Sequence, residues 1–171
     1  MTDQSAPTTP AMPPDAARFD FWLGDWDVRW GDGLSGTNHV RKVLGDRVIQ
    51  EDFDGERDAQ LRGLSVSVCG MDGRWRQTWV DDNGAYLHFV GGWEDSSSDP
   101  DAPGPRMVLV HSREIDGRPV LLRMVWSDIQ PDSLTWRWQR SDDDGATWAT
   151  NPENPSIPPW ATATAGATPY L

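Results

Sequence analysis

Tryptophan residues share several predicted strands with polar side chains that could bind or transform a small molecule. The stretch RWRQTWVD alternates, and its alternate positions are Trp75, Gln77, Trp79 and Asp81. Alternate residues lie on one face of a strand. Flat apolar walls beside a few hydrogen-bonding groups suit a planar or polycyclic apolar ligand. The pattern therefore indicates ligand binding, or acid–base catalysis if a carboxylate or imidazole exchanges a proton.

Four later strands offer further candidates, and alternation leaves two choices of inward face on two of them. On one strand the inward residues are either Tyr86, His88 and Val90 or Leu87 and Phe89. On the next strand they are either Met107, Leu109, His111 and Arg113 or Val108 and Val110. The predicted ligand-binding residues are Trp75, Gln77, Trp79, Tyr86, His88, His111, Arg123, Trp126, Trp136 and Trp138. Asp81 and His88 are weak candidates for a general acid or base.

The competing interpretation is that the tryptophans fill a solid core and the polar residues face solvent. A polar group in an apolar core needs a partner, so polar residues on tryptophan-bearing strands favour a cavity. A strand histidine is ordinarily a surface residue, although His88 or His111 could be an acid/base or an axial haem ligand. No spacing brings the histidines and Asp81 together, so neither a metal site nor a cofactor is predicted.

Charge and cysteine content exclude several classes of protein. The chain of 171 residues carries a formal charge of −12, which argues against binding nucleic acid or an anionic membrane surface. The single cysteine, Cys69, allows no intrachain disulfide. The first residues, MTDQSAPTTPAMPPD, have neither a basic nor an apolar region typical of a signal peptide. A cytoplasmic protein is expected.

The remaining pattern is a series of alternating runs separated by turn residues. Gly45-Asp46, Asp72-Gly73 and Asn83-Gly84 each lie between two such runs, and Asp-Gly and Asn-Gly pairs are strong hairpin signals. Strands recur about every 10–12 residues with no long helical pattern between them. We predict an all-β fold, an antiparallel meander barrel of about nine or ten strands.

The opening FDFWLGDWDVRW changes period at Gly24. Phe19 and Trp22 recur with helical spacing, and Gly24 can end the turn in a left-handed conformation. Trp26 begins a strand that alternates as Trp26, Val28 and Trp30. We expect a short helix that plugs one end of the barrel, with Trp26 filling the core beneath it.

Three ranges are predicted along the chain. Residues 1–14 form a disordered tail, residues 15–150 the barrel, and residues 151–171 a proline-rich tail. Because proline cannot donate to a sheet ladder, the last range is expected to be a poor central strand. A barrel without its closing strand would expose an edge, so a homodimer through that edge is possible.

Three segments carry a family resemblance: FDFWLGDWDV, RWRQTWVDDNGAYLHFVGGWED and WRWQRSDDDGATW. Together they resemble a bacterial family of lipocalin-like, or calycin-type, proteins without an established reaction, over roughly residues 18–148. The resemblance implies a barrel with Gly24 and Trp26 as its Gly-x-Trp signature. It also implies that Arg137 or Arg140 packs over Trp26 by a cation–π contact.

The segment SDDDGATW resembles an Asp-box hairpin, a structural turn. Asp143 can bond to backbone, Gly145 can supply positive φ, and Trp148 can pack back on the sheet. We interpret these residues, with Ser141 and Thr147, as structural. A calcium loop would need a later glutamate that is missing here.

Three functions remain open from the sequence. The first is a binding protein that holds an apolar or aromatic small molecule in a tryptophan-lined cavity. The second is an enzyme on the same barrel, of cyclase or isomerase type, with Asp81 or His88 as general acid/base. The third is an interaction or structural protein with a filled core.

Overall fold

The computed structural model describes residues 10–31, 33–55, 60–97, 103–150 and 160–165. In these ranges the backbone forms one short 3₁₀ turn, Asp20–Trp22, and eleven strands. The strands are β1 (Gly24–Trp30), β2 (Leu34–Val43), β3 (Val48–Asp54), β4 (Arg62–Cys69), β5 (Trp75–Asp81), β6 (Tyr86–Glu94), β7 (Arg106–Ile115), β8 (Arg118–Ser127), β9 (Ser133–Ser141), β10 (Ala149–Thr150) and β11 (Trp160–Ala165).

The strands close into a barrel. β1 to β9 are consecutive antiparallel neighbours, and β11 lies between β9 and β1. Its register places Ala165 opposite Trp26 and Ala163 opposite Leu134. The two-residue β10 pairs with the end of β9 and stands outside this ring of ten strands. The predicted all-β antiparallel meander barrel is confirmed.

The closing strand corrects one expectation from the sequence. Residues 151–171 were expected to make a poor central strand, yet Trp160–Ala165 pairs on both sides. The reason is that WATATA alternates and contains no proline, so every residue keeps an N–H for the ladder. The edge on which the homodimer prediction rested is therefore occupied by β11.

The predicted N-terminal helix is a run of tight turns ending in one 3₁₀ turn. Backbone bonds join residues three apart, such as Arg18 to Asp15 and Trp22 to Phe19. The Phe19 ring is fully buried and contacts Trp75 and Trp126 edge-on, with ring centroids 5.2 and 5.0 Å apart. This aromatic cluster covers the end of the barrel where β1 begins.

Trp26 joins the plug to the first strand. It is 4% exposed, and its indole nitrogen donates a hydrogen bond of 2.8 Å to the carbonyl of Trp22. The expected packing of Arg137 or Arg140 over Trp26 is wrong. Arg137 pairs with Trp160 and Trp26 with Ala165, at opposite ends of β11. Arg140 bonds to Asp142 instead.

Outside the barrel, the turn after β9 is held by the residues of the Asp-box resemblance. The Asp143 carboxylate accepts hydrogen bonds from Ser141 and from the backbone and hydroxyl of Thr147, at 2.6–2.9 Å. These bonds lower the pKa of Asp143 to about 2. Gly145 adopts φ 86°, in the left-handed region that favours glycine.

No helix in the described part of the chain is long and apolar enough to cross a bilayer.

Candidate functional site

The interior of the barrel contains a cavity of about 80 Å³. This exceeds the roughly 10–15 Å³ that one water needs, so side chains do not fill the core completely. Its walls are mostly aromatic and aliphatic, with two polar exceptions. The lining residues are Trp22, Val28, Asn38, Glu51, Phe53, Leu61, Trp79, Leu87, Phe89, Met124, Trp126, Leu134, Trp136, Trp138 and Ala163.

Two tryptophans of β9 form a flat wall of the cavity. Trp136 and Trp138 lie on the same face of the strand, with their rings stacked at 6.3 Å and 7° between planes. Phe89 meets Trp138 edge-on at 5.6 Å. The Trp138 indole nitrogen is buried and has no hydrogen-bond partner among the described residues. The wall thus combines a planar surface with an unused donor.

The position of Trp79 is fixed by two neighbours. Its indole nitrogen donates a hydrogen bond of 2.9 Å to Asp81. Its ring lies over Gly63, where an added Cβ would overlap the indole. Glycine is thus required at position 63 for close approach. Trp79 is in turn directly opposite Ser65, which places it beside the polar part of the cavity.

The polar part of the cavity is built from three adjacent strands. Glu51 of β3 lies directly opposite Ser65 of β4, and Asn38 of β2 is the diagonal neighbour of Glu51. The Ser65 hydroxyl donates to Oε2 of Glu51 at 2.6 Å, and the Asn38 amide donates to Oε1 at 2.8 Å. The Asn38 Oδ1 atom is buried without a partner among the described residues.

Burial sets the protonation of Glu51. The residue is 8% exposed, and no other lining residue in the described part of the chain is ionisable. Burial raises the pKa of Glu51 to about 7, against the hydrogen bonds from Ser65 and Asn38, which lower it. The carboxylate of Asp52 raises it further. A carboxyl group in this range gains or loses a proton near neutral pH, as an acid–base group must.

A second pair of buried polar residues lies outside the cavity lining, and its two side chains are hydrogen-bonded to each other. Gln77 and Ser67 are opposite each other on β5 and β4, and the Gln77 amide donates a hydrogen bond of 3.0 Å to the Ser67 hydroxyl. Both are at most 1% exposed, and neither lines the cavity. Trp75 also faces inward, but it packs at the plugged end against Phe19.

Four of the predicted ligand-binding residues line the cavity: Trp79, Trp126, Trp136 and Trp138. The predicted placement of Tyr86, His88 and Arg123 in the cavity is wrong. On β6 the inward residues are Leu87 and Phe89, so Tyr86 and His88 face solvent. Tyr86 is 71% exposed.

Arg123 lies on the outer face of β8 although it is 5% exposed. It donates a hydrogen bond of 2.7 Å to Gln139, and its guanidinium lies 4.1 Å from the ring of Trp148. Arg123 is therefore covered from outside by the turn after β9. His111 is half-buried, its ring contacts Phe89, and its Nδ1 bonds to the carbonyl of His88.

The two predicted acid–base candidates have other surroundings. The Asp81 carboxylate accepts hydrogen bonds from Trp79 and from the backbone of Asn83 and Ala85. It organises the turn after β5 and does not line the cavity. His88 lies on the exposed face of β6. Among the described residues, Glu51, which the sequence reasoning missed, is the ionisable side chain that lines the cavity.

The sequence does contain a signal for Glu51. Ile49, Glu51 and Phe53 occupy alternate positions of one run, so a glutamate stands between two apolar residues on one strand face. The next strand does not support an inward position for Glu51, because its polar residues Ser65 and Ser67 face inward while Val66 and its apolar neighbours face outward. A rule that turns apolar residues inward and polar residues outward would assign the wrong face of this strand to the interior.

Comparisons with known proteins do not assign the chain to a family. No protein-family model matches the chain, and no curated protein matches it. The closed ten-strand antiparallel barrel is consistent with a lipocalin-like fold.

Proposed function

We propose that this protein binds an apolar or aromatic small molecule inside the barrel. The observation that carries the proposal is the cavity of about 80 Å³, with tryptophan and phenylalanine walls and the polar group of Glu51 and Asn38. Ligand sites in proteins are mostly apolar, with a few polar groups that orient the ligand.

Unused polar atoms support this proposal. Asn38 Oδ1 and Trp138 Nε1 are buried without partners among the described residues, and both side chains line the cavity. Buried polar groups are normally hydrogen-bonded, and an unpaired one costs free energy. A ligand with one donor and one acceptor would satisfy both. A filled core, the basis of the interaction-protein alternative, fits these atoms and the cavity less well.

A second candidate function is acid–base catalysis on the same ligand. Glu51 favours it, because a buried carboxyl group with a pKa of about 7 can both accept and donate a proton near neutral pH. Asn38 and Ser65 hold the carboxyl group in place. A reaction of isomerase or cyclase type would use Glu51 as the proton carrier, in place of Asp81 or His88.

Native mass spectrometry of protein purified gently from its own host tests the binding function. We expect an additional mass that is lost on denaturation. Ala163 lines the cavity on β11, so Ala163→Phe should fill the space and remove that mass. Thr162→Phe is the matched control, because Thr162 is exposed on the same strand. The additional mass should remain with this variant.

A bare mass, together with tryptophan fluorescence that no aromatic compound changes, would overturn the proposal. Loss of the additional mass in both variants would place the ligand outside the cavity. The cytoplasmic location and the homodimer predicted from the sequence stay predictions. Size-exclusion chromatography with light scattering would test the homodimer.

A further inference from the structure

The polar end of the cavity contains more hydrogen-bond acceptors than donors. Each oxygen of Glu51 accepts one hydrogen bond, from Asn38 or from Ser65. A carboxylate has about four acceptor positions, so lone pairs remain. Asn38 Oδ1 is a further acceptor, buried and unpaired among the described residues. Among the described residues, this end therefore has acceptor positions to which no donor is bonded.

No positively charged side chain is found among the described residues that line the cavity. Among the described residues that line it, Glu51 alone is ionisable. Its neighbours across the sheet are the uncharged Val40 and Ser65. The next residue along β3, Asp52, repels a negative charge at Glu51. Burying a carboxylate without a partner is costly, and a positive charge beside it offsets that cost.

Two aromatic residues lie near Glu51 on the inner face of the sheet. Phe53 follows Glu51 on the same face of β3, and Trp79 is opposite Ser65 on β5. The Phe53 and Trp79 ring centroids are 6.4 Å apart, with 52° between planes. The faces of aromatic rings attract ammonium groups, most strongly where water is excluded. The carboxylate, the amide oxygen and the aromatic rings are thus all groups that attract an ammonium group.

We propose that the ligand is a primary alkylamine that carries an aromatic ring, with its ammonium group held by Glu51 and Asn38 Oδ1 and its ring against the tryptophan wall. This inference rests on the proposed binding function and names its ligand class. Glu51 and Asn38 supply the acceptors, Trp79 and Phe53 lie near the charge, and Trp136 and Trp138 hold the apolar body. Glu51 must be ionised in this complex.

The proposal predicts that amine binding is linked to loss of a proton. Burial raises the pKa of Glu51 to about 7, so near pH 6 most molecules without a bound amine hold that proton. It passes to the buffer when the ammonium group binds. The affinity for an amine should therefore be about tenfold higher near pH 8 than near pH 6.

Three probes with one aromatic ring separate the possibilities: benzylamine, benzyl alcohol and benzoate. Binding is measured by tryptophan fluorescence and by calorimetry in two buffers of unlike ionisation enthalpy. At pH 8 we expect benzylamine to bind most tightly and benzoate most weakly. Near pH 6 we expect about one proton released per benzylamine bound. Glu51→Gln, which keeps the shape of the side chain, should weaken benzylamine about tenfold or more.

Glu114→Gln is the matched control, because Glu114 is exposed on β7, and it should leave every affinity unchanged. Benzyl alcohol binding as tightly as benzylamine, or amine binding without proton release, would overturn the amine proposal while leaving the binding function intact. Failure of all three probes to bind the wild-type protein would overturn both. If Glu51→Gln does not fold, the proton release of the wild-type protein decides the outcome alone.

Discussion

Ser65 donates a hydrogen bond of 2.6 Å to the carboxyl group of Glu51 across two strands of the barrel. Both side chains point inward, where most side chains are apolar. The pair therefore marks the place where the barrel interior departs from a simple core.

The first prediction concerns pH and stability. Burial raises the pKa of Glu51 from 4.5 to about 7, so between these values the folded state binds more protons than the unfolded state. The stability of the empty protein should therefore fall as pH rises from about 4.5 to about 7, by roughly 3 kcal/mol at most. Urea unfolding at several pH values measures this slope.

Glu51→Gln should remove that slope, and Glu114→Gln should keep it. The carboxyl groups of Asp72, Asp142 and Asp143 have lowered pKa values. Their contribution is lost only as pH falls below about 4, outside this window. An identical slope in wild type and Glu51→Gln would contradict the assignment.

The second prediction concerns the plug. Trp26→Ala removes a buried ring and the hydrogen bond to the carbonyl of Trp22. We expect a loss of about 3–5 kcal/mol in the free energy of unfolding. Trp26→Phe keeps most of the ring and should cost less, with about 1 kcal/mol for the lost hydrogen bond. A fully stable Trp26→Ala protein would show that the plug does not depend on this residue.

The third prediction concerns the approach of Trp79 to Gly63. A Cβ at position 63 would overlap the indole ring, so Gly63→Ala must displace Trp79 from the cavity wall. We expect a loss of about 1–3 kcal/mol of stability and weaker ligand binding. Gly92→Ala on β6 is the control, because an added Cβ there meets nothing closer than 4.0 Å. Equal effects at both glycines would refute the explanation.

The fourth prediction separates the outer face from the cavity. The guanidinium of Arg123 lies over Trp148 outside the barrel. Trp148→Ala should therefore lower stability, by about 1–2 kcal/mol, through loss of the cation–π contact. It should leave ligand affinity unchanged. A double-mutant cycle with Arg123→Met isolates the contact. A fall in affinity with stability unchanged would return Arg123 to the binding site.

The fold was predictable from the sequence because its signals are local. Alternation marked the strands, and turns such as Asp72-Gly73 marked their boundaries. The closing strand was missed because prolines surround WATATA, although none lies within it. The high proline content is a property of the residues around Trp160–Ala165 and not of the strand itself.

The site was less predictable because strand faces cannot be assigned by polarity alone. The tryptophan walls followed from alternation, but the inward face of β6 was a choice between Leu87 and His88 that only the neighbouring strands decide. On β4 the serines face inward, since Ser65 is a partner of Glu51. Glu51 was missed because a charged residue is normally assigned to the surface.

The pairing of β11 with β1 and β9 has a consequence for synthesis. Among the strands that the structure describes, β11 comes last in the sequence, and it pairs with β1. On the ribosome, β1 and β9 must therefore wait with unpaired backbone edges until residues 160–165 emerge. Contacts between such distant parts of a chain form slowly, and exposed edges invite aggregation. Until Trp160–Ala165 has been synthesised, the edges of β1 and β9 that it pairs with are open to such contacts.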